Sequence, residues 1–188
     1  MLARGPVGDC TCFLPDFLRR CRRHAKCFGK KLRSPFTPRN LLMEIQVEAY
    51  SPVEVTRLRH NPRVLLAEDD MELRTLFGLC LRSSGYDVVE AADGTEALER
   101  LAGLPAPSAD SARLFDAAVL DIRMPGFSGL HVLAALRHSS PAIPVVLMTA
   151  FSDERIRTDA HRLGASAMLS KPFRLQALTW AVACAVGV

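Results

Sequence analysis

From residue 63 onward, the chain alternates between two patterns of hydrophobic and polar positions. Short, nearly continuous apolar runs predict strands, and each run is followed by a segment whose apolar residues recur every three or four positions, as on one face of a helix. In the first such segment, Leu73, Phe77 and Cys80 show the helical spacing, and Gly85 follows as a helix terminator. The alternation occurs five times and predicts five strands and five helices.

These segments define an α/β fold. The predicted strands are 63–67, 87–91, 116–120, 144–148 and 167–169, and the predicted helices are 71–83, 94–104, 129–138, a segment that begins after Ser152, and 174–185. Ser128 and Ser152 are the expected N-caps of the third and fourth helices. Continuously apolar strands are typical of a parallel sheet that is covered on both faces. We therefore predict an open, doubly wound parallel sheet, in which ligands bind at the carboxyl ends of the strands.

Residues 1–60 follow neither pattern. They contain five prolines and carry twelve Lys/Arg against five Asp/Glu, whereas residues 61–188 carry twelve against fifteen. The Asn61-Pro62 pair disfavours helix and marks the boundary. We predict an irregular basic N-terminal extension, 1–60, before a compact domain, 61–188. The extension cannot bury a core of its own and is expected to be disordered, or to be translated sequence upstream of the true start, with Met43 as a candidate initiator.

Two functional alternatives for the extension stay open. Its thiolates could bind Zn²⁺, although their spacing differs from the paired C-x₂-C pattern of common zinc modules. Its basic residues could bind acidic lipid or nucleic acid, although no nucleic-acid-binding fold is evident and we do not expect a nucleic-acid partner. The four cysteines concerned are Cys10, Cys12, Cys21 and Cys27. The chain has no membrane-spanning apolar stretch and no signal peptide, so we expect it in the cytoplasm.

Chemically distinctive residues follow the predicted strands. Glu68 and Asp69 come after the first strand, Asp121 after the third, and Thr149 after the fourth. Lys171, the only lysine among the twelve basic residues of 61–188, follows the fifth. A compact ammonium suits a small anion, and clustered carboxylates suit a hard cation. The sequence therefore predicts a metal-assisted phosphoryl site at one edge of the sheet. Asp70 is expected only to cap a helix or to be solvated.

Four short motifs carry a resemblance to a known family. They are Leu66-Ala67-Glu68-Asp69-Asp70, Asp121-Ile122-Arg123-Met124-Pro125-Gly126, Met148-Thr149-Ala150 and Lys171-Pro172-Phe173. With these motifs in order at successive strand ends, residues 63–186 resemble the receiver domain of bacterial two-component response regulators, in particular the single-domain, chemotaxis-regulator-like type. The resemblance implies a flavodoxin-like (βα)₅ sheet of strand order 2-1-3-4-5.

The resemblance also implies a role for each matched residue. Asp121 would accept a phosphoryl group from a sensor histidine kinase or a phosphotransfer protein. Mg²⁺ would be held by Glu68, Asp69, Asp121 and the backbone carbonyl of Arg123. The phosphoryl group would be bound by Thr149, Ala150 and Lys171, with Pro172 in a cis turn. Thr149 and Met168 would form the switch, in which Met168 replaces the family's usual aromatic residue and should weaken the coupling.

The expected function is that of a stand-alone phosphorelay regulator that binds a downstream protein under the control of phosphorylation. It would catalyse only its own phosphorylation and dephosphorylation. The fifth helix is apolar around most of its circumference, so either it is well buried or the face of helix four, strand five and helix five binds a partner or a second copy.

Other functions fit the sequence less well. A DNA-binding regulator that uses the basic extension lacks a helix-turn-helix pattern, and we expect no output domain after the fifth helix. A phosphate sink or relay is a further alternative. Haloacid-dehalogenase-like enzymes need an aspartate where this chain has Arg123.

Overall fold

The computed structural model describes residues 3–4, 10–12, 61–102, 115–139, 143–150 and 153–187. The strands are β1 (Ala3–Arg4), β2 (Cys10–Cys12), β3 (Arg63–Ala67), β4 (Asp87–Ala91), β5 (Ala117–Asp121), β6 (Val145–Thr149) and β7 (Ala167–Ser170). The helices are α1 (Met71–Ser83), α2 (Gly94–Ala102), α3 (Gly129–Ser139), α4 (Glu154–Arg162) and α5 (Leu175–Val186). All ten elements predicted after residue 62 are present, within two residues of their predicted bounds.

The sheet has the predicted topology at its centre. Its full order is β1-β2-β7-β6-β5-β3-β4. The five neighbouring strands β7, β6, β5, β3 and β4 are parallel. Numbered along the compact domain alone, those strands run 2-1-3-4-5, which confirms the expected flavodoxin-like fold. The chain leaves β3 toward β4 on one side and reaches β5 on the other. The carboxyl ends of β3 and β5 therefore border the crevice at the switch in strand order.

Alternate residues of each strand supply two separate hydrophobic cores. Val64 and Leu66 pack on one face of the sheet with apolar residues of α1 and α5. Leu65 and Ala67 pack on the other face with residues of α2, α3 and α4. Successive side chains of a strand point to opposite faces, so a parallel sheet buried on both sides needs apolar residues at every position.

Local capping explains where the helices begin. Asp70 accepts hydrogen bonds from the backbone N–H groups of Glu72 and Leu73, at 2.9 and 3.0 Å, and so caps α1 as expected. The Ser128 hydroxyl accepts from the N–H of His131 at the start of α3. The prediction of Ser152 as the cap of α4 was wrong. Asp153 is the N-cap, because its carboxylate accepts from the N–H of Arg155 at 2.9 Å and its charge suits the positive helix end.

Helix α5 is buried over most of its length. Seven of its twelve residues are buried, among them Trp180 at 5% exposure. They join the core on the face of the sheet that α1 also covers. Of the two readings that the sequence left open for the apolar surface of this helix, burial accounts for the greater part.

Strands β1 and β2 were not predicted. β2 runs antiparallel to β7, and β1 pairs antiparallel with β2. The outer edge of β7 can bond a short extended segment through backbone groups alone, so the pairing leaves no hydrophobic period in the sequence. Cys21, Cys27 and Met43 lie outside the described residues, as do the side chains of Cys10 and Cys12. Among the helices described, none has the length and apolar character needed to cross a membrane.

Candidate functional site

Two neighbouring parallel strands bring the predicted carboxylates together. Glu68 directly follows β3, and Asp121 is the last residue of β5. The register that places Ala67 beside Leu120 makes these two carboxylates neighbours. One oxygen from each of Glu68, Asp69 and Asp121 lies within 4.8 Å of the others. Since parallel strands end at one edge of the sheet, Asp121 forms one cluster with carboxylates that lie 52 and 53 residues earlier in the sequence.

Lys171 joins this cluster from the end of β7. Its Nζ lies 2.8 and 2.6 Å from the two carboxylate oxygens of Glu68, and 3.3 Å from Oδ2 of Asp121. Its backbone N–H donates to the carbonyl of Thr149 at 2.7 Å, and the Lys171–Pro172 peptide bond is cis. The ammonium of Lys171 therefore lies between the carboxylates of Glu68 and Asp121, where it can also contact an anionic group that binds beside either of them.

The electrostatics of the cluster are unbalanced. Glu68 is 1% exposed and Asp121 is 6% exposed. Burial raises the pKa of both carboxyls, and the charge of Asp69 raises the pKa further in each case. The hydrogen bond and charge of Lys171 act in the opposite direction on the pKa of both groups but do not cancel the effect of burial. Three carboxylates share one ammonium, so the ionised site carries excess negative charge.

The donor set fits a hard divalent cation. Carboxylate oxygens are preferred ligands of Mg²⁺, and a cation would offset the mutual repulsion that disfavours the ionised forms of Glu68 and Asp121. Lys171 contributes one positive charge to a cluster of three carboxylates, so the fully ionised cluster keeps a net negative charge. The residues present therefore suit a bound metal ion better than they suit an isolated ion-pair cluster.

The remaining predicted residues lie on β6 and β7 or shortly after the ends of β5 and β6. Thr149 is the last residue of β6 and is fully buried, and Ala150 follows it at an exposed position. Arg123 follows β5 with an exposed side chain. Met168 is 1% exposed and packs in the core that α2, α3 and α4 cover. A methionine held in that core can move only if its neighbours repack.

Some predicted bystanders lie away from the chemistry. Asp70 serves α1 as its cap. His131, His138 and His161 are exposed on α3 and α4. Within the described chain, the only group of three or more potential metal ligands is the Glu68, Asp69 and Asp121 cluster.

Three contacts at the site escaped prediction. The stacked rings of Phe77 and Phe173 lie 5.3 Å apart, with the Lys171 ammonium 5.9 Å from the Phe77 centroid. The Nη1 of Arg74 donates to the carbonyl of Glu68 at 2.7 Å, which fixes the turn after β3. These contacts depend on tertiary packing or on the conformation of a turn. The hydrophobic periodicity of the sequence therefore does not predict them.

Gly129 is the third missed feature. A Cβ at this position would overlap the backbone carbonyl oxygen of Asp121. The first residue of α3 thus lies directly against the backbone of the predicted phosphoacceptor. Only a residue without a side chain permits this approach. The sequence marks this glycine only as the start of a helix.

Comparison with known proteins identifies a family. The family model for the response regulator receiver domain matches residues 64–183. That match includes all of β3 except its first residue, and it extends into α5. It contains every predicted site residue.

Individual relatives agree with this match. The chain is 38% identical over 125 residues to the transcriptional regulatory protein PdtaR of Mycobacterium tuberculosis, covering 66% of this chain and 56% of that protein. It is 38% identical over 118 residues to the transcriptional activator protein PfeR of Pseudomonas aeruginosa, covering 63% of this chain and 35% of that protein. The chain therefore spans from about a third to just over half of the length of these relatives.

A solved structure shares the fold. The response regulator protein TrrA of Thermotoga maritima, solved in complex with Mg²⁺-BeF, is 29% identical and superposes with a TM-score of 0.56. The match covers 66% of this chain and 98% of that one.

Proposed function

The chain belongs to the response regulator receiver family, and we propose that it accepts a phosphoryl group on Asp121. The observation that carries this proposal is the contact of Lys171 with both Glu68 and Asp121 inside a buried carboxylate cluster. Of the three clustered carboxylates, Asp121 lies on β5, the middle one of the five parallel strands, between β3 and β6. A phosphodonor can approach Asp121 from the edge of the sheet at which the parallel strands end.

The transfer is a displacement at phosphorus. One carboxylate oxygen of Asp121 forms the new P–O bond while the P–N bond to the donor imidazole breaks, and the imidazole leaves with its bonding electron pair. Lys171 holds a phosphoryl oxygen through a charge-assisted hydrogen bond. The Thr149 hydroxyl binds another, and the backbone of Ala150 lies beside it. Hydrolysis of the resulting acyl phosphate returns the carboxylate.

Glu68, Asp69, Asp121 and the carbonyl of Arg123 are proposed to hold Mg²⁺. When bound, the ion neutralises charge on the transferring phosphoryl group and helps to orient it. The donor chemistry of the cluster supports this assignment, as does the Mg²⁺-BeF complex of the related TrrA protein. The role of Glu68 is then twofold, because it also positions the Lys171 ammonium.

This chemistry makes the chain a regulator that modifies itself. The only reactions assigned to it are the gain and loss of its own phosphoryl group. The consequence is a change in protein–protein binding, in which Thr149 moves toward the phosphoryl group and carries the end of β6 and the following loop with it. Met168 must repack within its core for this motion to reach α4.

The phosphodonor is proposed to be a histidine kinase or a phosphotransfer protein. Such a donor must dock beside the cluster to bring its imidazole to Asp121. Helix α1 begins directly after the acidic turn and exposes three large apolar side chains, Met71, Leu76 and Leu79, at 68%, 45% and 60%. They lie on one side of the helix, since Leu76 and Leu79 are three positions apart and Met71 and Leu79 are eight. This surface suits an apolar helical partner.

Phosphorylation with a small donor tests the assignment of Asp121. Wild-type protein incubated with acetyl phosphate and Mg²⁺ should gain the mass of one phosphoryl group, which peptide mapping should place on Asp121. Asp121→Asn should gain none, and the Glu68→Gln/Asp69→Asn variant should gain far less at the same Mg²⁺ concentration. Asp159→Asn, which alters an exposed carboxylate on α4, is the matched control. An Asp121→Asn protein that is modified to the wild-type level refutes the proposal.

Transcription control is the second candidate function, because PdtaR and PfeR are both named as transcriptional proteins. The alignments cover 56% and 35% of those proteins, so the likeness lies in the receiver part. Phosphorylated and unphosphorylated chain can be titrated against labelled duplex DNA at several salt concentrations. Sequence-selective binding would favour this function over protein binding alone.

A further inference from the structure

The outer edge of β7 is covered by the chain's own N-terminal segment. β2 lies antiparallel to β7, with Cys10 opposite Leu169, Thr11 opposite Met168 and Cys12 opposite Ala167. A bare edge strand presents a row of unpaired N–H and C=O groups, to which a strand of another chain can add. β2 therefore occupies the position that a partner's strand would take.

The covered strand is tied to the candidate site. β7 pairs with β6 as far as Thr149 and Ser170, and Lys171 follows immediately. The N–H of Lys171 then bonds the carbonyl of Thr149 at 2.7 Å. The β2 register ends opposite Leu169, two residues before this lysine. Anything that pairs with the outer edge of β7 therefore lies beside the strand that carries the phosphoryl-binding ammonium.

The pairing of β2 with β7 is short enough to be displaced. β2 has three residues and β1 has two, and a two-stranded ribbon of this size is not stable in isolation. Forty-eight residues separate Cys12 from Asn61, so the contact also closes a long loop. A strand that served only to complete the sheet would be more stable with more paired residues and a shorter connection to the next strand. β2 has only three paired residues and a long connection.

We propose that Cys10–Cys12 is a cis-acting cover strand, which excludes partner strands from the outer edge of β7 and must leave before another chain can pair there. The proposal rests on the proposed function in one respect, since it regulates access to the strand that leads to the phosphoryl-binding lysine. The occupant that it excludes is an extended polypeptide segment, recognised through backbone hydrogen bonds.

The register offers a selective way to remove the cover. β2 is flanked by β1 on one side and by β7 on the other. Whichever neighbour the N–H of Thr11 faces, proline removes a ladder donor and cannot be accommodated in a strand paired on both sides. Thr11→Val keeps the backbone donor and the β-branched side chain, and so provides the matched control.

Hydrogen exchange of the full-length, unphosphorylated chain tests whether the cover forms. In Thr11→Pro, amides of β7 that face outward should exchange at least about tenfold faster than in wild type or Thr11→Val. Amides of β3 and β4, on the far side of the sheet, should be unchanged, which shows that the receiver fold survives. Equal β7 exchange in Thr11→Pro and Thr11→Val overturns the pairing.

A peptide added in trans tests exclusion. A synthetic peptide carrying residues 8–14, kept reduced, should bind Thr11→Pro about tenfold or more tighter than it binds wild type, because the cover occupies the edge in the wild-type chain. Equal binding by the two proteins overturns the competition. Both measurements are repeated in an Asp121→Asn background. The cover should behave in the same way there, so its failure is distinguishable from failure of the phosphorylation site.

Discussion

At the scale of single residues, the excess of carboxylates over ammonium at the sheet edge determines how substitutions should act. Glu68, Asp69, Asp121 and Lys171 were all predicted from their positions at strand ends, because parallel topology brings such ends together. The stacking of Phe77 on Phe173 and the approach of Gly129 to Asp121 were not predictable. Those contacts depend on the position of each helix relative to the neighbouring loops. That position would have to be known more precisely than the width of a side chain.

Asp121→Asn should stabilise the metal-free protein near neutral pH. The pKa of Asp121 is raised by burial, so the folded protein binds more protons than the unfolded chain between the ordinary value of 3.8 and the raised value. Stability therefore falls as pH rises through that window, and asparagine removes this loss. We therefore expect the thermal midpoint of the metal-free variant to lie above that of the metal-free wild type near neutral pH.

The advantage should depend on pH and on metal. Well below pH 3.8 the carboxyl of Asp121 is protonated in both the folded and the unfolded state, so the midpoints of variant and wild type should converge. Mg²⁺ should raise the wild-type midpoint and should have a smaller effect on the variant. Calorimetry across pH, with and without Mg²⁺, measures both trends. A variant that is less stable than wild type at neutral pH would show that the ion pair with Lys171 outweighs burial.

Lys171→Arg should fold normally but accept phosphoryl groups poorly. The Nζ lies within 3.3 Å of both Glu68 and Asp121 in a pocket that leaves the side chain 16% exposed. A planar guanidinium is larger and cannot present a point charge to two carboxylates and a phosphoryl oxygen together. We expect a loss of about 10²-fold in the rate with acetyl phosphate, the size found when a positioned donor is removed. Arg162→Lys, the reverse exchange on exposed α4, should leave the rate unchanged, whereas an unchanged rate in Lys171→Arg would make the lysine a bystander.

At the scale of secondary-structure elements, hydrophobic period predicted every strand and helix after residue 62. The apolar positions of these strands and helices repeat because those positions are buried, so the repeat predicts the elements. The helix-four cap was misassigned by one residue, because Ser152 and Asp153 are both good caps and only the backbone angles choose between them. β1 and β2 were invisible, since a strand held by backbone bonds at a sheet edge needs no particular side chains.

Helix α1 supplies a prediction at this scale. Leu79→Glu should reduce phosphotransfer from a phosphorylated histidine phosphotransfer protein by about tenfold or more, because a charge would be buried in the apolar contact. The reaction with acetyl phosphate should be unchanged, since that donor needs no docking surface. Ala102→Glu places the same charge at an exposed position on α2 and serves as the control. Equal transfer by wild type and Leu79→Glu would move the docking surface away from α1.

At the scale of the whole molecule, the proposed function requires that a phosphoryl group at one edge of the sheet change binding elsewhere. The sequence left open whether the apolar surface of α5 is buried or binds a partner, and seven of the twelve residues of α5 are buried. Trp180 is therefore unsuitable as a surface probe, because a charge there would disrupt the core. Of the five positions of α5 that are not buried, Leu175 and Val186 pack against the core, which leaves Gln176, Thr179 and Ala183. A partner on the face of α4, β7 and α5 must contact these residues and the polar surface of α4.

The last prediction is that phosphorylation changes self-association or partner binding through that face. Movement of Thr149 toward the phosphoryl group would shift the end of β6 and the loop that leads to α4, and would disturb the pairing of Thr149 with Ser170 in β7. Light scattering of wild-type protein, with and without Mg²⁺ and beryllofluoride as a phosphoryl analogue, should show a change in mass. Ala183→Glu should abolish the change, whereas Ala102→Glu on α2 should preserve it. If neither mass nor partner affinity responds to the analogue in wild type, the receiver passes its phosphoryl group on as a relay or stores it as a sink. The cover strand would then protect the edge of β7 without controlling an output.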